Sequence, residues 1–185
     1  MKTFINACAI SIAVLLLFSG CSEKSQSPTE SMNSLSKVTI TDFTGVIYAT
    51  ALIDPGIVKI VGQNYFRTNQ AVQCTLQTDI DLVTGTAILI KSNRYDVNTG
   101  EGVLHGTLTI TPDDYPDCVW EITWTGTRDK TGESEWTSYI DMVGIGEGDE
   151  IDGMKVHING IVTDDNIYGE LGFYGVGNGY IKSKE

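Results

Sequence analysis

The chain is poor in the residues that most catalytic and metal sites need. It has two histidines, His105 and His157, in 185 residues. Two isolated histidines with no cysteine nearby in sequence do not form the closely spaced ligand set of a zinc site. No Gly-x-Ser-x-Gly elbow occurs to present a serine nucleophile. The histidines therefore read as surface polar residues, and no catalytic residue, metal or cofactor is assigned. Positive charge is scarce too: 12 Lys+Arg stand against 24 Asp+Glu, a formal charge of −12. Such a chain is repelled by phosphate backbones and anionic headgroups, which excludes nucleic acid as a partner. Beyond residue 20 no apolar run approaches the length of a membrane-spanning helix.

Proline is low at 4 and glycine high at 20, amid many Thr, Ile, Val and Tyr. That mixture suits strands joined by tight turns. From Lys37 onward the period is two. Val72, Cys74 and Leu76 share one face of Ala71 to Thr78. Leu104, Leu108 and Ile110 share one face of Val103 to Thr111, with His105, Thr107 and Thr109 opposite. Trp120, Ile122 and Trp124 share one face of the segment from Cys118 to Gly126. Further strands are expected at Thr39 to Ala49, Ile57 to Val61, Thr84 to Ile90, Trp136 to Val143, Met154 to Val162 and Ile167 to Tyr174. Turns are expected at Asp54-Pro55-Gly56, Asn98 to Gly102, Thr111 to Asp117, Arg128 to Glu133 and Gly144 to Gly153. About eight or nine strands with no helical stretch between them specify an all-β, antiparallel fold. A single barrel is preferred to a β-sandwich because closure removes edge strands and the interior glycines suit its bends.

The N-terminus has a different character. Lys2 precedes an apolar run from Ala7 to Phe18, interrupted by Ser11, and then Ser19-Gly20-Cys21. This resembles a bacterial lipoprotein signal, in which the cysteine after two small residues is lipidated and becomes the mature N-terminus. The resemblance implies a signal at residues 1–20, acyl chains on Cys21 and attachment to a membrane through them. Ser22 after the cysteine implies the outer membrane of a Gram-negative envelope. Residues 21–36, rich in Ser and Glu, read as a disordered tether, and 37–185 as the barrel domain. In an oxidising compartment Cys74 and Cys118 are the candidates for a disulfide, the alternative being two buried thiols.

The C-terminal half carries Trp120-x3-Trp124-Thr125-Gly126, Gly144-Ile145-Gly146-Glu147-Gly148, Ile151-Asp152-Gly153 and Gly177-x-Gly179-Tyr180. This spacing is similar to that of a group of secreted bacterial proteins and, more distantly, to allene oxide cyclase and dirigent barrels. The resemblance implies an eight-stranded antiparallel barrel and no active-site residue.

Two candidate sites follow from the residues. Trp120, Trp124, Trp136 and Tyr139 (with Tyr168) could line a ligand pocket, though aromatics on one strand face are more often core. Gly144 to Gly153 gathers Glu147, Asp149, Glu150 and Asp152. Its acids would repel phosphate, and Glu147, Asp149 and Asp152 remain weak calcium candidates beside the plainer reading of a solvated glycine turn. The expectation is a lipid-anchored, non-catalytic barrel that binds a small or lipophilic molecule or an envelope partner. The alternatives are a cyclase or isomerase, which would need a buried carboxylate such as Asp141 or Glu121, and a structural surface protein, which would have a solid interior.

Overall fold

The computed structural model describes residues 37–131, 136–164 and 174–184. They form nine strands: β1 (Val38–Asp54), β2 (Ile57–Val61), β3 (Asn64–Thr78), β4 (Gly85–Asp96), β5 (Gly102–Pro112), β6 (Val119–Lys130), β7 (Trp136–Glu147), β8 (Lys155–Asp164) and β9 (Tyr174–Lys184). Each pairs antiparallel with its neighbours in the order β1-β9-β8-β7-β6-β5-β4-β3-β2. β1 pairs with β3 as well, so eight strands close a barrel and β2 lies outside the ring. Closure rules out the sandwich.

The inward face follows from the period-two pattern. Across the wall Cys74 pairs with Ala87, Ala87 with Ile110 and Ile110 with Trp120, one continuous inward row. Trp120, Leu108, Ile110 and Ile122 are fully buried, and each such side chain contributes on the order of 1.5–3 kcal/mol. Among the described residues two small interior spaces are found, of about 40 and 30 Å³. They are water-sized, and the barrel interior that the described residues enclose is packed.

One end is closed by loops. Val83 from the β3–β4 loop, Cys118 from the β5–β6 loop and Ile151 from the β7–β8 loop are all fully buried there. The Trp120 indole N–H donates to the Leu82 carbonyl at 2.8 Å and ties the first of these loops to β6. The glycine-rich segment serves this closure. Gly146 N–H donates to the Met154 carbonyl at 2.9 Å and Gly153 N–H to the Gly146 carbonyl at 3.0 Å, folding the loop back so that Ile151 plugs the end.

The other end is built from strand segments longer than the hydrophobic pattern suggests. β3 begins at Asn64, seven residues before the expected Ala71, and β4 runs past Ile90 to Asp96. β6 continues to Lys130, so Arg128 is on a strand and not in a turn. The strand expected at Ile167 to Tyr174 falls on residues outside the described set except for Tyr174, which opens β9.

A bulge shapes this end. Arg67 pairs with Asn93 and Gln70 with Lys91, so β3 carries one residue more than β4 between those pairs. Asn69 takes it up at φ 57°, a left-handed value that asparagine tolerates. On the other flank β1 stops at Asp54 and β2 resumes at Ile57 along the same edge of β3. The β2–β3 hairpin thus extends beyond the ring.

Candidate ligand-binding mouth

The inward side chains change in kind towards the end opposite the Ile151 plug, the candidate mouth. β3 contributes Tyr65, Arg67 and Gln70, and β4 contributes Lys91, Asn93 and Tyr95, paired Tyr65 to Tyr95, Arg67 to Asn93 and Gln70 to Lys91. β6 adds Arg128 and β7 adds Trp136 and Ser138, with Arg128 opposite Ser138. The Tyr65 and Tyr95 rings stack with centroids 4.5 Å apart and planes 18° apart. The Arg128 guanidinium lies 4.8 Å from the Tyr95 centroid and 4.8 Å from that of Trp136. Arg67 lies 5.8 Å from the Tyr65 centroid.

Two glycines of β5 make this arrangement fit. Gly102 stands between Tyr95 and Arg128 in the ladder, so no β5 side chain separates the guanidinium from the ring. Gly106 stands between Lys91 and Trp124. A Cβ there would lie 1.8 Å from the Ile90 carbonyl oxygen and 2.9 Å from the Trp124 ring.

The cluster is chemically unfinished. Buried polar atoms without a hydrogen-bond partner include Arg67 Nε, Gln70 Oε1, Asn93 Oδ1, Trp124 Nε1 and Trp136 Nε1, all towards this end of the barrel. Gln70 is only 5 % exposed. Native interiors answer nearly all such groups, so their concentration sets this end apart from the rest of the barrel interior. Directly beneath is the void of about 40 Å³, bordered by Lys91, Ser138, Trp124, Leu104, Ile140 and Met142. Burial pushes the Tyr95 hydroxyl above its ordinary value, with Tyr65 adding to the rise and Arg128 opposing it. Tyr95 is therefore a neutral hydroxyl in this setting.

The outer wall has a second concavity of about 1020 Å³, where Asp141, Asn159, Asn178 and His105 form a polar row beside Tyr139 and Ile161. Next to this row His157 Nε2 lies 2.6 Å from Asp141 Oδ1, and the Tyr180 ring meets His157 edge-on at 5.3 Å. Asp141 is 61 % exposed and Glu121 is exposed as well. Neither is the buried carboxylate that cyclase-type chemistry would require.

The aromatic residues singled out in the sequence do not share one pocket. Trp120 is core at the closed end, Trp124 is core below the mouth, Trp136 is at the mouth and Tyr139 is on the outer wall, 48 % exposed. Tyr168 and the lipidation candidate Cys21 lie outside the described residues. Cys74 and Cys118 are free thiols. The inward row that carries Cys74 reaches β6 only after three strand spacings, roughly 14 Å. Cys118 instead sits at the closed end with its Sγ 3.2 Å from Glu150 Oε2, so a bridge is not formed. Burial raises the Cys74 thiol to about 12, with Lys91 opposing. Burial also raises Cys118, with the Glu150 carboxylate adding to it. Among the described residues no three His, Cys, Asp or Glu side chains are grouped to hold a metal ion. Glu147, Asp149 and Asp152 are exposed around the Ile151 plug.

Sequence reasoning missed Tyr65, Arg67, Gln70, Lys91, Asn93, Tyr95 and Arg128. One signal was available: Tyr65 and Arg67 alternate with Phe66 and Thr68 just before a hydrophobic strand. No family, characterised protein or solved structure matches the chain. The resemblance to cyclase and dirigent barrels is therefore not supported by any match; the structure shows a closed eight-stranded antiparallel barrel, and the site's chemistry is argued from its own residues.

Proposed function

We propose that this protein is a non-catalytic binding barrel of the cell envelope, held to the outer membrane by acyl chains on Cys21, and that it takes a small molecule at the open mouth. One observation carries the reading. The inward residues of the open end combine three cations, three aromatic rings and several unanswered buried polar atoms, whereas the rest of the interior is apolar and packed. A barrel that needed only to be stable would gain more from apolar side chains at these positions. With the interior packed, a guest would sit at the rim, with little more than a methyl-sized group reaching the void below.

The packed interior also supports a second reading, a structural surface lipoprotein with a polar cap. Native mass spectrometry of the protein isolated from its own host separates the two. A co-purifying small molecule whose retention depends on Arg67 supports binding. A bare protein with no thermal shift across a metabolite panel supports the structural role. The same spectra report the anchor, because diacyl or triacyl mass on a chain beginning at Cys21 is expected. An unmodified cysteine would remove the membrane from the account.

A further inference from the structure

The geometry points to a second binding site on the concave outer wall of β5 to β9, one that takes a neutral oligosaccharide. It stands apart from the mouth and does not rest on it. One polar row crosses five strands there: His105 pairs with Thr125, Thr125 with Asp141, Asp141 with Asn159 and Asn159 with Asn178. All five side chains are exposed and line the concavity of about 1020 Å³. Four strand spacings separate the ends of the row, about 19 Å, which suits a short chain of rings better than one small molecule.

An apolar row runs parallel to it, two residues along each strand and so on the same face, about 7 Å away. Val103, Tyr139, Ile161 and Val176 are 45–52 % exposed in it, with Thr127 completing the ladder. Between the two rows the floor is backbone. The inward row behind it pairs Gly126 with Ile140, Ile140 with Gly160 and Gly160 with Gly177, and all three glycines line the concavity. Glycine inside a strand marks a bend or the close approach of a ligand.

The paired rows select the guest. A sugar ring has a C–H face that packs on aromatic and aliphatic surface, and a rim of hydroxyls that each donate and accept. Tyr139, Ile161 and Val176 offer the surface. The Asn159 and Asn178 amides each offer a donor and an acceptor, and among the described residues these amides and the His105 ring have no hydrogen-bond partner. His157 Nε2 lies 2.6 Å from Asp141 Oδ1, which steadies the carboxylate and leaves Oδ2 to accept a hydroxyl.

Other guests fit less well. Among the described residues no lysine or arginine lines the groove, and Asp141 together with the acidic surplus of the chain opposes an anion. An extended peptide adds to an open strand edge, whereas β5 to β9 are each paired on both sides. A purely apolar partner would bury the row from Asp141 to Asn178 unanswered.

The test uses ¹⁵N-labelled full-length protein and the side-chain amide resonances of Asn159 and Asn178. The indole N–H groups of Trp120, at the closed end, and of Trp136, at the mouth, are the controls. The probes are the tetramers of glucose, mannose, galactose and N-acetylglucosamine, with tetragalacturonate as an acidic chain and the glucosamine tetramer as a basic one. At least one neutral tetramer should shift both asparagine amides and neither indole, with an affinity that sodium chloride leaves within twofold. Asn178→Ala and Tyr139→Ala should each weaken it at least tenfold, whereas Gln73→Ala, exposed on β3 outside the groove, should change nothing. A native Trp120 resonance shows that each variant is folded, and undiminished affinity in both groove variants would overturn the site. A tetramer that shifts Trp136 and leaves the asparagines alone would also overturn it, in favour of the mouth. Binding of the acidic or basic tetramer alone, lost in salt, would overturn the neutral class. Asparagine shifts that grow with protein concentration in the absence of sugar would overturn the proposal by making this face an interface between copies. If no tetramer moves Asn159 or Asn178, the row is solvated surface and the inference falls.

Discussion

The indole N–H of Trp120 reaches the Leu82 carbonyl oxygen at 2.8 Å, joining a fully buried ring on β6 to the loop that closes the barrel. Trp120→Phe keeps most of the ring but strands that carbonyl, at a cost of about 1–3 kcal/mol. Trp120→Ala should cost about 3–5 kcal/mol. Urea unfolding followed by fluorescence of the remaining tryptophans measures both, and equal stability of Trp120→Phe and wild type would show that the bond is dispensable.

Gly106 and Gly160 make a matched pair. A Cβ at Gly106 would collide with the Ile90 carbonyl and the Trp124 ring, whereas at Gly160 the nearest atom is the Val176 carbonyl oxygen at 3.6 Å. Gly106→Ala should destabilise by roughly 2–3 kcal/mol or more and disturb the Trp124 indole resonance. Gly160→Ala should stay within about 1 kcal/mol of wild type. Similar losses from the two substitutions would refute the close approach of β5 to Trp124.

The Cys74 thiol, raised to about 12 by burial, should resist iodoacetamide at pH 8 in the folded protein and react once urea unfolds it. Its titration also shapes alkaline stability. The folded pKa exceeds the ordinary thiol value of 9.0, so its contribution is whole below that value and is lost as pH rises from 9.0 towards 12. Cys74→Ala should flatten the fall in melting temperature over that window; an unchanged slope would assign the loss to other groups.

β2 ends the strand order, and Ile57, Val58, Ile60 and Val61 are 49–72 % exposed. An apolar edge of this kind invites pairing between chains, and a central lysine is a common guard against it. Lys59→Val should raise the aggregation rate measured by light scattering at 37 °C without changing the circular dichroism of the monomer. A soluble, monomeric variant would show that the edge is protected by other means.

Where inward meant apolar, the sequence was readable. Val72-Cys74-Leu76, Leu104-Leu108-Ile110 and Trp120-Ile122-Trp124 all point into the barrel as their alternation implies. The same rule hid the mouth, because it treats a polar residue at an alternate position as the end of a strand or as its outer face. Lys91 therefore seemed to end β4 and Arg128 seemed to belong to a turn, though both lie on inward positions of continuous strands. The extra residue at Asn69 shifted the phase of β3 as well, so Tyr65 and Arg67 fall out of step with Val72 and Cys74 in any strict count of two. Loop closure was hidden for another reason: nothing local shows that Ile151, set among acids and glycines, ends up fully buried.

That phase shift decides which side chains the mouth presents. Thr68 and Asn69 both stand between Arg67 and Gln70, which face inward. Deleting Asn69 would remove the bulge and leave Tyr65 and Arg67 on the inner face by plain alternation with Gln70. Straightening the strand at its present length would do the reverse, turning Thr68 and Phe66 inward and sending Tyr65 and Arg67 to the outside. The hairpin thus works like a reading frame: the left-handed turn at Asn69 absorbs the extra letter, and without it the same side chains would give the barrel a greasy rim and a charged outer arm.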